Sequence, residues 1–90
     1  MSESAERRWE TQNELGCKLF GQGDLPQAEE AFIAAIREAT LLGTENLRLA
    51  SSLSNLVQLK YKQTDFHAAE SLFRRALAIR EQVLGAEHQG

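Results

Sequence analysis

The chain has 90 residues, of which 42% are hydrophobic and 26% charged, with a formal net charge of −3. This length fits one small domain and excludes a second of ordinary size, and the composition is that of a soluble globular protein. The acidic balance disfavours a general binder of nucleic-acid phosphates, and a single cysteine excludes an internal disulfide. Because no long apolar run occurs, we expect neither a membrane-spanning helix nor a signal peptide. We therefore expect a cytoplasmic protein.

Two helices are predicted in the first half of the chain. The first begins after Ser4, whose hydroxyl can cap it, and ends at the glycine-containing segment 21–23. Asp24 caps the second helix, which is predicted to reach about Leu42, with Gly43 as its stop. The scarcity of β-branched residues and the lack of apolar–polar alternation favour helices over strands.

Two further helices are predicted in the second half. The third begins at residue 46 or 47 and ends near Gln63, and the fourth covers 66–84. Gly85 is expected to stop the fourth helix, which leaves a loose tail over 86–90. Helical spacing gives this last helix two edges, one of Ala69, Phe73, Ala76 and Arg80, the other of Leu72, Ile79 and Val83.

The two halves of the chain are similar to each other. Identical residues recur 41 positions apart at Leu15 and Leu56, Asp24 and Asp65, Ala28 and Ala69, Glu29 and Glu70, Phe32 and Phe73, and Ala35 and Ala76. After one inserted residue, the pair Leu42-Gly43 recurs as Leu84-Gly85. Each half is therefore predicted to be a helical hairpin, which gives one all-α domain of four antiparallel helices with repeats over about 5–43 and 46–85.

The repeated residues resemble a tetratricopeptide repeat. The first half supplies Leu15-Gly16, Ala28-x3-Phe32 and Ala35, and the second supplies Leu56-Val57, Ala69-x3-Phe73 and Ala76. The long period, together with the segments 49–50, 55–56, 76–81 and 84–88, is similar to the kinesin light chain branch of this family. The resemblance covers about residues 9–88 and implies a fragment of a right-handed α-solenoid.

Two departures from the family pattern carry structural expectations. Val57 stands where the first half has the small Gly16, so it should push the third and fourth helices apart. The position of the family's tryptophan holds Gln12, and Trp9 lies one turn earlier, so Trp9 is expected to pack at the end of the stack.

The resemblance implies a concave face lined by the first helix of each hairpin. Its residues are expected to be Glu10, Asn13, Glu14, Cys17, Phe20, Ser51, Ser54, Asn55, Gln58, Tyr61 and Lys62. This face is interpreted either as a peptide-binding groove or as a merely solvated surface. Family members that bind the acidic tails of chaperones need a lysine and an asparagine where this chain has Asn13 and Cys17, and Glu10 and Glu14 would repel such a tail. A neutral or basic segment is therefore the favoured partner.

A second expected interface is the apolar edge of the last hairpin. Because a further hairpin would normally cover it, we expect Leu59, Leu72, Ile79, Val83 and Leu84 to be exposed. Such an edge favours self-association, including a homodimer, or a continuation of the array in a longer protein.

The sequence gives little support for catalysis or for a cofactor. Cys17 has no neighbouring base and is interpreted as a small packing residue, and His67 with Glu70 supplies only two ligands, too few for a metal site. The predicted function is a non-enzymatic scaffold or adaptor for protein–protein interaction, with homo-oligomerisation as the alternative. A helical-repeat nucleic-acid binder is a distant third, because Glu70 and Glu81 dilute the basic stretch of the last helix.

Overall fold

Four helices form two consecutive hairpins. A computed structural model describes residues 4–43 and 46–88, with side chains described up to residue 85. Helix α1 spans Ala5–Gly21, α2 spans Leu25–Thr40, α3 spans Leu47–Lys62 and α4 spans Phe66–His88. The all-α, two-hairpin prediction is confirmed.

Each helix begins with a side-chain cap, and the caps predicted at Ser4 and Asp24 are confirmed. A side-chain oxygen of the capping residue accepts a hydrogen bond from a backbone N–H three residues on, and this satisfies a donor that the first helical turn leaves unpaired. The four capping residues and their donors are Ser4 with Arg7, Asp24 with Gln27, Asn46 with Leu49, and Asp65 with Ala68.

Both hairpin turns place one residue in the left-handed region of backbone space. Gly23 has a φ of 82° in the first turn, and Thr64, 41 positions later, has a φ of 60° in the second. A β-branched residue adopts this conformation at a cost that glycine avoids. The second hairpin therefore keeps the turn geometry of the first without its most suitable residue.

Two predicted helix ends differ from the observed ones. Helix α2 ends at Thr40, two residues early, and Gly43 follows with a φ of 126° in the connecting loop. Helix α4 continues through Gly85 to His88, so a loose tail is wrong for residues 86–88. A glycine stops a helix when it takes a positive φ, and Gly85 does not. Residues 89–90 of the predicted tail lie outside the described part of the chain.

The core consists of two apolar clusters that join the hairpins. The first cluster contains Ala39, Leu49, Ala50, Leu53, Ala76 and Ile79. The second contains Ala28, Phe32, Leu56 and Leu59. Both draw side chains from α2 and α3, so neither hairpin completes its core alone.

The expected exposed edge of the last hairpin is largely wrong. Leu59 is fully buried, Ile79 is 6% exposed, and Leu72 packs against both clusters. Of the other two residues, Val83 is exposed and Leu84 is half-buried. The helical phase explains the difference, since α4 turns the stripe Ala69, Leu72, Ala76 and Ile79 inward and leaves Phe73 on the surface.

Trp9 lies between the hairpins and not at the end of the stack. Its ring packs against the first cluster, and its Nε1 donates a hydrogen bond of 2.7 Å to Ser52 Oγ on α3. The guanidinium of Arg48 lies 5.7 Å from the centre of the same ring. Trp9 thereby links α1 to α3.

Candidate partner-binding groove

The amides of the predicted concave face bond to one another. Asn55 Nδ2 donates to Asn13 Oδ1 at 3.1 Å, and the buried Ser52 Oγ donates to the same oxygen at 2.9 Å. With the bond from Trp9 to Ser52, this forms a network that holds α1 against α3. Ser52 was not predicted as part of this face, because a serine inside an apolar helix gives no sign of the tryptophan that reaches it from another helix.

The predicted concave residues lie on α1 and α3 and differ in their exposure to solvent. Those exposed are Glu10, Glu14, Cys17, Gln58, Tyr61 and Lys62, and those half-buried are Asn13, Phe20, Ser51, Ser54 and Asn55. The interpretation of Cys17 as a packing residue is wrong, because its side chain is exposed, with Asn55 Nδ2 at 3.8 Å from its sulfur. Cys17 lines a small cavity of about 80 Å³ together with Phe20, Phe32, Asn55 and Gln58.

A much larger concavity, the α3–α4 groove, lies on the second hairpin. Its volume is about 730 Å³, and its lining consists of Val57, Gln58, Tyr61, Phe66, His67, Glu70 and Phe73. The rings of Tyr61 and Phe66 lie 5.5 Å apart at a tilt of 59°. Tyr61, Phe66 and Phe73 are each more than half exposed, at 57%, 58% and 52%. The groove therefore presents three aromatic side chains to solvent.

The first hairpin has the same groove, but α3 covers it. Positions 41 residues before Tyr61, Phe66, Phe73 and Leu77 hold Phe20, Leu25, Phe32 and Ile36. These four earlier residues belong to, or pack against, the cluster in which Leu56 and Leu59 of α3 are buried. The small cavity beside Cys17 is the part of that groove that α3 does not fill. In the second hairpin all four equivalents are exposed, Leu77 at 43%.

Val57 gives a further reason for the exposure of Phe73. A Cβ atom on Gly16 would lie 2.5 Å from two ring carbons of Phe32, so Phe32 occupies space that only a glycine leaves open. Val57 stands in the place of Gly16 and has that Cβ. The ring of Phe73 therefore cannot take the position of Phe32, and it lies in the groove.

The two hairpins also differ at a repeated glutamate. Glu29 accepts hydrogen bonds from Lys60 Nζ on α3 at 2.9 Å and from Nε2 of Gln63, the residue after α3, at 3.2 Å. The bond from Lys60 holds the pKa of Glu29 below its usual value, against the opposing effect of burial. The equivalent Glu70 is exposed in the α3–α4 groove, where its carboxylate lies 3.6 Å from Arg74 Nη2.

Metal binding and membrane insertion find no support in the described residues. Among the side chains that the structure describes, no three of His, Cys, Asp or Glu lie close enough together to hold a metal ion. Over the same residues, no helix combines the length and the apolar character that crossing a bilayer requires. His67 is exposed on the wall of the α3–α4 groove.

Comparison with known protein families finds a match over the second hairpin. The family model for the tetratricopeptide repeat matches residues 49–90, which include most of α3 and all of α4. The long-period, kinesin-light-chain-like character of the repeat is compatible with this match. Neither a search of curated proteins nor a search of solved structures found a match.

Proposed function

We propose that this chain, whose residues 49–90 match the family model for the tetratricopeptide repeat, is a protein–protein interaction module that binds a helix of a partner protein in the α3–α4 groove. One observation carries the proposal. The exposed aromatic residues of this groove, Tyr61, Phe66 and Phe73, are the repeat equivalents of Phe20, Leu25 and Phe32, which pack with α3 on the first hairpin. A surface of the same chemistry and spacing suits an occupant of the same kind.

The energetics favour an apolar occupant. Burying a large apolar side chain contributes roughly 1.5–3 kcal/mol, and Tyr61, Phe66, Phe73 and Leu77 all retain large exposed areas. The face between α1 and α3 offers less, because Asn13 and Asn55 already bond to each other there. The α3–α4 groove is therefore the stronger candidate for partner binding.

The proposal is tested with a peptide of α3, because the structure shows how this helix docks on the first hairpin. The probe is a fluorescent synthetic peptide of residues 46–63, kept helical by a lactam bridge between a lysine and a glutamate introduced at positions 57 and 61. These two positions line the α3–α4 groove and belong to neither of the two core clusters. Fluorescence anisotropy is expected to show saturable binding to the intact protein. Phe73→Ala should weaken binding about tenfold or more, because it removes a central aromatic contact.

The matched control is Leu41→Ala, which trims an apolar side chain that is 69% exposed in the loop after α2. It should bind the peptide as tightly as the unmodified protein does. Equal binding by the Phe73→Ala protein, or no binding by the unmodified protein, would overturn the proposal.

Self-association through the same groove is the second candidate function. If two copies paired their α4 helices in antiparallel fashion about residue 75, Phe73 would lie opposite Leu77 and Glu70 opposite Arg80 of the other copy. Light scattering behind a sizing column, over a hundredfold range of concentration, separates the two functions. A dimer that Phe73→Ala dissociates would favour self-association, and a monomer throughout would leave the groove open for a partner helix.

A further inference from the structure

The partner helix should carry a positive charge at a defined place. This inference rests on the proposed function. We infer that the α3–α4 groove selects an amphipathic helix that carries two leucine-like side chains three residues apart. The residue directly after the second of them is a lysine or arginine, which pairs with Glu70. The site is a patch of apolar side chains with one carboxylate on its wall.

Helix α3 provides the template for this pattern. Leu56 and Leu59 are 5% and 0% exposed in the cluster on the first hairpin, and Lys60 directly follows them. Lys60 Nζ lies 2.9 Å from Glu29, and both side chains are largely shielded from solvent. Since Glu70 repeats Glu29, an occupant seated as α3 is seated would place its cation at Glu70.

The charges around Glu70 leave room for that cation. Arg74 lies one turn along α4 from Glu70, and His67 and Tyr61 are the other ionisable residues in the groove lining. The Arg74–Glu70 contact is 3.6 Å long between side chains that are 76% and 62% exposed, so water screens it and little energy holds it. A partner's cation can therefore join or replace Arg74 at the carboxylate.

Helix α1 of a second copy fits this pattern poorly. Where α3 has Leu49, Leu53 and Leu59, α1 has the repeat equivalents Arg8, Gln12 and Lys18. Head-to-tail stacking of copies would place these polar residues against apolar ones, at a cost in desolvation. The observations therefore disfavour a second copy stacked head to tail and favour a partner with a basic, leucine-containing helix as the occupant.

A charge-exchange experiment tests the inference. Two lactam-bridged peptides are used, the 46–63 peptide and the same peptide with Lys60→Glu, each against the unmodified protein and the Glu70→Lys protein. The lysine peptide should bind the unmodified protein about tenfold more tightly than the glutamate peptide does. On the Glu70→Lys protein the preference should reverse. Arg75→Glu, a charge change on the exposed surface of α4 outside the groove lining, serves as the control and should leave the preference unchanged.

Each outcome of this experiment either supports or overturns the inference. Reversal of the preference supports the pairing with Glu70. If both peptides bind all proteins equally while Phe73→Ala still abolishes binding, the charge inference fails and the proposed function stands. If neither peptide binds the folded, unmodified protein, the proposed function fails and the inference fails with it.

Discussion

Two pairs of identical residues 41 positions apart, Phe32 with Phe73 and Glu29 with Glu70, occupy different environments in this protein. Phe32 is 1% exposed and Phe73 is 52% exposed, although both follow the same Ala-x3-Phe pattern. Glu29 bonds to Lys60 across the two hairpins, whereas Glu70 lies in an open groove. In each pair, the residue on the first hairpin is covered by α3, and its equivalent on the second hairpin is not covered by a helix. The exposed member of each pair therefore marks the candidate binding surface.

Glu29 should make stability depend on pH. Because its pKa is lowered in the folded protein, its contribution is present above the ordinary glutamate value near 4.5 and is lost as the pH falls through the lower folded value. At neutral pH, Glu29→Gln should lower the free energy of unfolding by up to about 1 kcal/mol, and the deficit should shrink in acid. Urea unfolding between pH 3 and pH 7 measures both effects.

The matched control for this prediction is Glu70→Gln, which removes the same charge from an exposed site. It should leave the free energy of unfolding nearly unchanged at neutral pH. A Glu29→Gln deficit that stays constant from neutral to acidic pH would show that the ion pair with Lys60 does not stabilise the fold.

At the scale of the helices, the presence or absence of one glycine decides where an aromatic ring packs in each hairpin. Gly16 admits the ring of Phe32 between α1 and α2, whereas Val57 excludes Phe73 from the equivalent place between α3 and α4. From the sequence, Val57 was expected to separate the helices, and what the structure shows at this position is a displaced aromatic ring. One side chain on α3 thus helps to create the groove.

Two glycine substitutions should have opposite effects. Gly16→Ala should destabilise the protein by about 1–3 kcal/mol, because the new methyl group would overlap the ring of Phe32. Gly85→Ala should stabilise it by up to about 1 kcal/mol, because Gly85 lies inside α4 with no atom within 4 Å of its added Cβ. The urea midpoints of the two variants test both predictions. A stabilising effect of Gly16→Ala would contradict the close packing of Phe32 against Gly16.

Across the molecule, the two hairpins share one core. The first cluster contains residues of α2, α3 and α4, and Trp9 of α1 packs on it. The molecule measures 42 × 41 × 16 Å, so it is thin, and each helix keeps a face toward solvent. Stability therefore depends on contacts between the hairpins as well as within them.

This shared core predicts a single cooperative unfolding transition. The fluorescence of Trp9, the one tryptophan in the chain, reports on the junction of α1 with α3, and far-ultraviolet circular dichroism reports on all four helices. The two signals should give the same midpoint in urea. A tryptophan transition well before the loss of helix would mean that the hairpins unfold separately.

The helices, their caps and the pairing of the chain into two similar hairpins could all be predicted from the order of residues. These features depend on neighbouring residues, such as Asp24 with the N–H of Gln27, and on the 41-residue repetition. The ends of α2 and α4 were less well predicted, because Gly43 and Gly85 could each adopt either a helical or a positive φ.

The burial of particular apolar residues and the place of the candidate binding groove became clear from the packed structure alone. In the sequence, Leu59 and Phe73 are both apolar residues of an amphipathic helix. In the structure, Leu59 is buried against the first hairpin, whereas Phe73 is exposed on the second. The same holds for Trp9, whose hydrogen bond to Ser52 joins residues 43 positions apart. Burial depends on which helix lies opposite, and that depends on the packing of all four helices together.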